Sequence, residues 1–598
     1  MESKVLKKRE EIQEQDKWSI NEIYSNDEIW EKEYKELQEE APKLKEFEGK
    51  LGDGETLIRY FEVNEKVSRK AEKIYIYAHL RCDEDTSNTK YQAMMNKIDA
   101  YMAEYATYTA YVVPEILSLP DGTIEKQMEE LKGLEPYKFL LENILKEKPH
   151  VLDKKEEELL AAASDCLDAP SSIHNIMTNA DMKFGNIKDE DGEEVELTEG
   201  NYSSFIKSKD REVRKEAFKG LFKEYKAFEN TLATTLSSSI KVFNFGAKVR
   251  NYNSALEASL KPNDIPLEVY TNAIKTIDDN LSSLHRYVGL KKKLLGLDEM
   301  HMYDLYVPVI EIPKERVEFD DAVKMAIEGL QPLGKEYLDI FQEGINGGWI
   351  DKYINKGKRG GAYSWGGYDT KPYVLLNYNY ELNDVSTLVH EMGHSIHSYY
   401  SRKEQSYYYA GYTLFCAEVA STTNEALLIH HLINKETDKK KKLYLINQEL
   451  EQIRTTVFRQ LMFAEFELYT HESFEKGIPL TAEDYNAKWH ELNVKYFGPE
   501  MVVDSEIDVE WSRIPHFYSD FYVYQYATGY AAASAFAKSI LDKEPNAVEK
   551  YVGFLKSGGS DYPIEILKKA GVDMTTPKPL EATIDRFNEL LDMLEKEI

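Results

Sequence analysis

YVLLNYNYELNDVSTLVHEMGHSIHSYY, residues 373–400, holds the two textures from which the rest of the chain is read. Tyr373 to Asn377 is one short apolar run and reads as a strand, with Pro372 at its start favouring an edge position. From Asn383 onward, Val385, Leu388, Val389, Met392, Ile396 and Tyr399 recur at three- and four-residue spacing, the signature of a half-buried helix. Asn383 or Asp384 is placed to cap it. Four residues advance a helix by about 6 Å and turn it only about 40° past a full revolution. His390 and His394 therefore leave one face together and can share a metal ion. Glu391 lies about 100° round from His390, where it reaches a water on such an ion without ligating it. The same spacing also occurs in surface or capping His pairs, so the motif needs a third ligand.

Zinc favours imidazole, and two His with one carboxylate leave its fourth position open. The downstream candidates are Glu404, Glu418 and Glu425. LFCAEVASTTNEALL, residues 414–428, is apolar enough to be buried yet carries Glu418 and Glu425. Seven residues is nearly two turns, so both acids share a face. Acids inside an apolar helix need cationic partners. Glu418 as ligand, with Glu425 accepting from a ligating imidazole, meets that need. Two solvated acids on an outer face are the alternative, disfavoured by the surrounding Ala, Val and Leu. Glu404, among Arg402, Lys403 and Gln405, reads as surface. A metzincin would carry Gly at 397 and His at 400, but His397 and Tyr400 stand there, so His397 is a neighbour or a groove residue. His430 and His431 close the second helix as capping or exposed groups.

Elsewhere helical spacing dominates: 27–47, 57–80, 87–112 and 208–245, the last opening at Ser208-Lys209-Asp210. Phe184 and Ile187, then Asp191-Gly192, then Val195 and Leu197 predict a hairpin within 183–197. Tyr303 to Pro313 is short and broken by Pro308 and Pro313. Lys439–Lys442 reads as a solvated helix start. The 598 residues exceed one ordinary core, so two lobes are expected, with a boundary near residue 200 separating an N-terminal helical lobe (1–200) from a catalytic domain (201–598). The fold class is mainly α with a small β-sheet just before the helix that carries the His pair.

Composition narrows the partners. Lysines and arginines number 75 against 106 acids, a net charge of −31, which disfavours nucleic acid or an anionic membrane. The 42 Tyr argue against disorder and read mostly as core-edge packing. Cys82, Cys166 and Cys416 are scattered, which fits a reducing compartment. Met1 to Asp16 lacks an apolar signal region and no run of about 18 apolar residues occurs, so a cytoplasmic location is expected. His516-Phe517-Tyr518-Ser519-Asp520-Phe521-Tyr522-Val523-Tyr524-Gln525-Tyr526 is either an aromatic core helix or a set of donors for an oxyanion.

Taken together, these residues resemble the oligoendopeptidase F branch of the thimet oligopeptidase family of zinc metallopeptidases. The resemblance is carried by GAYSWGGYDTKPYVLLNYNYELNDVSTLVHEMGHSIHSYYS (361–401), AEVASTTNE (417–425) and the segment 516–529, with weaker likeness over 18–30, 189–202 and 210–225. It implies one zinc ion on His390, His394 and Glu418, Glu391 as general base, and Glu425 orienting a ligand imidazole. His516 matches the family's carbonyl-holding His by position, and Tyr526 and Tyr518 are the matching tyrosines. The thimet oligopeptidase branch spaces this segment differently, which leaves the part played by each Tyr open. The family fold is a helical ellipsoid of two lobes around a deep channel. It implies endopeptidase action on short unstructured peptides, with no obligate protein partner. Substrate pairing with the strand at Tyr373–Asn377 is a further expectation. A dipeptidyl carboxypeptidase and a catalytically idle peptide-binding protein are the rival readings.

Overall fold

The polar, Tyr-rich stretches form helices that bury one aromatic face each. In the computed structural model, which describes residues 6–310, 312 and 315–597, the first is α1 (Asp27–Glu40). Asn26 caps it by accepting the Ile29 N–H at 3.0 Å, and Trp30, Tyr34 and Leu37 are its buried face. Pro42 then tightens the chain into a 3-10 segment, Ala41–Phe47, so the helix expected over 27–47 changes type near its end. α2 (Gly54–Glu84), capped by Asp53, and α3 (Thr89–Thr109) pack against α1. Trp30 stacks on Tyr34 at 5.4 Å and Tyr101 meets Tyr34 edge-on at 5.5 Å, so these tyrosines are core residues. Met1 to Val5, and Glu311 and Pro313 of the Tyr303–Pro313 stretch, lie outside the described residues.

Two compact units account for the chain, each built from three stretches. One takes 1–148, 314–431 and 536–571; the other takes 149–313, 432–535 and 572–598. Residue 200 lies within the second. Among the described residues no helix is long and apolar enough to cross a membrane.

In the first unit a three-stranded sheet has β1 (Ile350–Tyr353), β2 (Tyr363–Trp365) and β3 (Tyr373–Tyr378), in the order β1-β3-β2. The strand expected at an edge is therefore the central one, parallel to β1 and antiparallel to β2. Pro372 is tolerated because it precedes the first paired residue, Tyr373, and so removes no ladder donor. With both sides occupied, β3 cannot accept a peptide strand. A buried lysine holds the turn of chain beneath it: Lys358 Nζ lies 2.6 Å from Asp351 Oδ1 and donates to the carbonyls of Tyr353 (2.8 Å) and Leu376 (2.6 Å). Arg9 donates to both carboxylate oxygens of Asp351 and to Glu84.

α4 (Leu382–Glu404) follows β3 directly, and α5 (Leu414–Lys435) packs beside it. The N-cap of α4 is Glu381; Asp384 is its third residue, accepting the Glu381 N–H at 2.8 Å in a capping box. The cap expected at Asn383 or Asp384 thus sits two to three residues earlier.

In the second unit Asn186–Lys188 and Glu194–Glu196 form the expected antiparallel hairpin, with Gly192 at φ +82° in the turn. The helix expected over 208–245 is two, Arg211–Ala227 and Glu229–Val249, broken at Phe228 without a Gly or Pro to mark it. Lys439–Lys442 does open a helix, with Lys439 and Lys440 exposed. α6 (Arg459–Glu475) and α7 (Tyr524–Leu541) flank the aromatic segment.

Burial alone would raise the Asp351 carboxyl, but Lys358 and Arg9 outweigh it and hold it below the usual range. Its stabilisation is complete above the unfolded value near about pH 4 and is lost as pH falls through the lower folded value. Lys358→Met should cost about 3 kcal/mol at neutral pH in urea unfolding. The deficit should narrow as pH falls through the depressed folded value, where Asp351 protonates.

Candidate metal centre

α4 and α5 approach closely because of one missing side chain. A methyl group on Gly393 would lie 2.6 Å from Ser421 Cα and 2.9 Å from the Ala420 carbonyl oxygen. Asn424 locks the pair by donating to the Val389 carbonyl at 3.0 Å, and Tyr337 donates to Asn424 at 2.8 Å. The helical pitch then sets His390 and His394 on the face that meets Glu418.

Three donors converge there. His390 Nε2 and His394 Nε2 are 3.3 Å apart, and each lies 3.4 Å from Glu418 Oε2. Tetrahedral bonds of about 2.0–2.1 Å place neighbouring donors about 3.3–3.4 Å apart, so one ion of zinc's size fits the triangle without movement. The Glu418 side chain is 47% exposed, which leaves the open corner of the site accessible. Ser421 Oγ, one turn on, donates to Glu418 Oε2 at 3.0 Å.

Behind the triangle, His390 Nδ1–H donates to Glu425 Oε2 at 3.0 Å, which aims Nε2 at the other donors. Ser386 Oγ donates to Glu425 Oε1 at 2.9 Å. Glu391 is buried and on the same helix as both His. Burial raises its carboxyl, opposed by the two neighbouring imidazoles. Burial opposes charge on His390, yet Glu425, Glu391 and Glu418 lift its imidazole to about 9. Burial likewise works against ionised Glu418, but His394 and His390 hold it down at about 2. The cluster is built to hold positive charge, and a divalent cation supplies that charge without a proton.

His397 is fully buried, stacked flat on Tyr412 at 3.7 Å, and burial pushes it down to about 3. It stands outside the triangle, as does exposed Glu404. His431, expected as a capping or exposed group, lies 3.5 Å from Glu328. Tyr373 and Asn377 were expected to contact substrate. Tyr373 is instead wholly buried and donates to the Ser19 carbonyl at 3.1 Å, while Asn377 donates its amide to the carbonyls of Arg359 and Gly361. Both side chains secure the sheet.

In the second unit, His516 Nε2 and Tyr526 Oη are 3.5 Å apart. Burial lowers the His516 imidazole, which favours its neutral form. Tyr518 turns to the buried ring of His174 at 4.5 Å, and Tyr522 takes the place beside Tyr526, ring to ring at 5.3 Å. Gly393, Ser386, Ser421 and Asn424 escape the sequence reading, and Tyr522 enters it only as one member of the aromatic segment. Ser386 precedes His390 by four residues and Ser421 follows Glu418 by three, so helical spacing alone could have picked out both.

Residues 204–586 match the family described as Peptidase family M3, and residues 115–184 that described as Oligopeptidase F. The chain is 49% identical over 592 residues to oligopeptidase PepF of Bacillus subtilis (strain 168), covering 99% of this chain and 88% of that protein. The crystal structure of oligoendopeptidase-F from Enterococcus faecium is 40% identical, with coverage of 96% and 99% and a TM-score of 0.73. A Chlamydophila abortus crystal structure, 38% identical with coverage of 99% and 100%, superposes at a TM-score of 0.95.

Gly393→Ala should weaken metal affinity about 10–100-fold in competition with a chromophoric chelator. Alanine favours a helix over glycine by about 1 kcal/mol, so unchanged affinity with added stability would refute the packing argument. Glu425→Gln should lower affinity to a similar degree while the fold is kept.

Proposed function

The chain belongs to peptidase family M3, and from that premise we propose that it is a zinc metalloendopeptidase cutting internal bonds of short oligopeptides. The observation that carries the reading is the donor triangle of His390, His394 and Glu418 with Glu391 beside it. One ion is held, and Glu425 fixes the His390 ring. What a bound zinc ion supplies is Lewis-acid polarisation of the scissile carbonyl and of an adjacent water.

Glu391 accepts a proton from that water as its oxygen attacks the carbonyl carbon. The C–N bond then breaks, and Glu391 returns the proton to the leaving amine. The raised carboxyl of Glu391 makes it the stronger base for the first half of this exchange. We assign to His516 and Tyr526 the substrate carbonyl and its developing oxyanion, with a neutral imidazole N–H and a phenol as donors. Tyr518 is given no such part, since its ring is engaged with His174. A peptide that extends the sheet would do so at an outer strand, β1 or β2.

The substrates proposed are short and unstructured, in the cytoplasm, with no obligate protein partner. A net charge of −31 disfavours nucleic acid and anionic membranes. The family membership favours a working peptidase over an idle peptide-binding protein, and the intact Glu391 agrees.

Quenched peptides of graded length should be cleaved internally, with activity lost to a chelator and restored by about one equivalent of zinc. Stepwise release of C-terminal dipeptides, seen by mass spectrometry, would replace the endopeptidase reading with a dipeptidyl carboxypeptidase. Glu391→Gln should retain zinc and lower kcat by about 10³-fold. Full activity in that variant would assign the base elsewhere.

A further inference from the structure

Between His516 and Tyr526 the chain reverses at Phe521, a buried, bulky residue held at φ +57°. Side chains other than Asn, Asp and Gly rarely adopt that backbone, and where they do the surroundings enforce it. Two residues of α6, one turn apart, provide the enforcement. Glu467 is 2% exposed, and its Oε1 accepts the Phe521 N–H at 2.6 Å. His471, equally buried, places Nε2 3.1 Å from Asp520 Oδ1, and its ring packs on Phe521 at 4.6 Å. Asn244 approaches His471 Nδ1 at 3.0 Å from the other side. Tyr270 and Phe243 complete the enclosure of the Phe521 ring.

The preceding 3-10 turn, Pro515–Tyr518, carries His516, and α7 begins at Tyr524, two residues before Tyr526. The direction in which both side chains leave the backbone is thus set by the residues held from α6. We propose that Glu467 and His471 are positioning residues for the carbonyl-holding pair, fixing through Phe521 and Asp520 the chain reversal that sets His516 opposite Tyr526. The inference rests on the substrate-contacting role given above to His516. Among the described residues no cation pairs with Glu467; burial, with Asp520 nearby, raises its carboxyl well above the usual range against the pull of the Phe521 N–H, and the amide oxygen of a glutamine could accept that N–H equally well.

Neutral glutamine should therefore replace Glu467, and leucine should not. In cleavage of a quenched peptide by the zinc-loaded full chain, Glu467→Leu should lower kcat about 10–100-fold, with KM within about threefold and zinc content unchanged. Glu467→Gln should keep most of the activity. In a His516→Ala background the further loss from Glu467→Leu should nearly vanish, because both act on one group. The proposal is overturned if Glu467→Leu turns over normally, if Glu467→Gln falls as far as leucine, or if the losses multiply undiminished. Should the leucine variant not fold, Asp520→Ala carries the same comparison with His516→Ala. An inactive wild type would remove the functional reading instead. Amide exchange at Phe521 would still decide the positioning, slow in wild type and Glu467→Gln and fast once the acceptor is gone.

Discussion

The contact between α4 and α5 at Gly393 is the constraint on which the candidate site depends. No side chain larger than hydrogen fits between the two helices there, and Ser421 and Ala420 occupy the space a β-carbon would need. That closeness brings the carboxylate of one helix within 3.4 Å of two imidazoles of the other. A shift of about 1 Å would carry the donors out of range of a single ion, whose bond lengths vary by only about 0.2 Å. The hydrogen bonds from Asn424 to Val389 and from Ser386 to Glu425 tie the helices one to two turns before Gly393, so register as well as distance is fixed.

Charge favours a cation at this point of the structure. Glu391, Glu418 and Glu425 surround His390, and they hold a positive charge on its ring well above neutral pH. A divalent ion meets the same demand, so occupation replaces a proton and adds little electrostatic imbalance. The sheet that precedes α4 supports this from below. Ser364 of β2 and Ser395 of α4 are hydrogen-bonded at 2.8 Å, and Lys358 gathers the carbonyls of Tyr353 and Leu376 around Asp351. Strand, buried ion cluster and helix form one continuous support for the donors.

Much of this is legible in the sequence, for reasons of periodicity. His390, His394, Glu418 and Glu425 are spaced by helical turns, and helical spacing is local, so their shared faces follow from arithmetic. The Asp191-Gly192 hairpin is equally local. What fails is what depends on distant chain. β3 looks like an edge strand from Pro372, but β1 and β2 are contributed by segments whose pairing leaves no local mark. Tyr373 looks available to a ligand until Ser19, far away in sequence, is found at its hydroxyl. Tyr518 and Tyr522 cannot be told apart without the φ +57° reversal between Phe521 and its neighbours, because one such residue redirects every side chain around it. Gly393 reads as a weak point of a helix, whereas its value lies in a neighbour 28 residues on, Ser421.

Three donors stand ready for a single tetrahedral ion, and zinc-edge X-ray absorption of the chain loaded with one equivalent of metal reads their geometry. Four-coordinate zinc with two imidazoles and light-atom bonds of about 2.0–2.1 Å is expected, lost in Glu418→Ala. A sulfur shell at about 2.3 Å, a six-coordinate oxygen shell, or a spectrum unchanged by Glu418→Ala would contradict it.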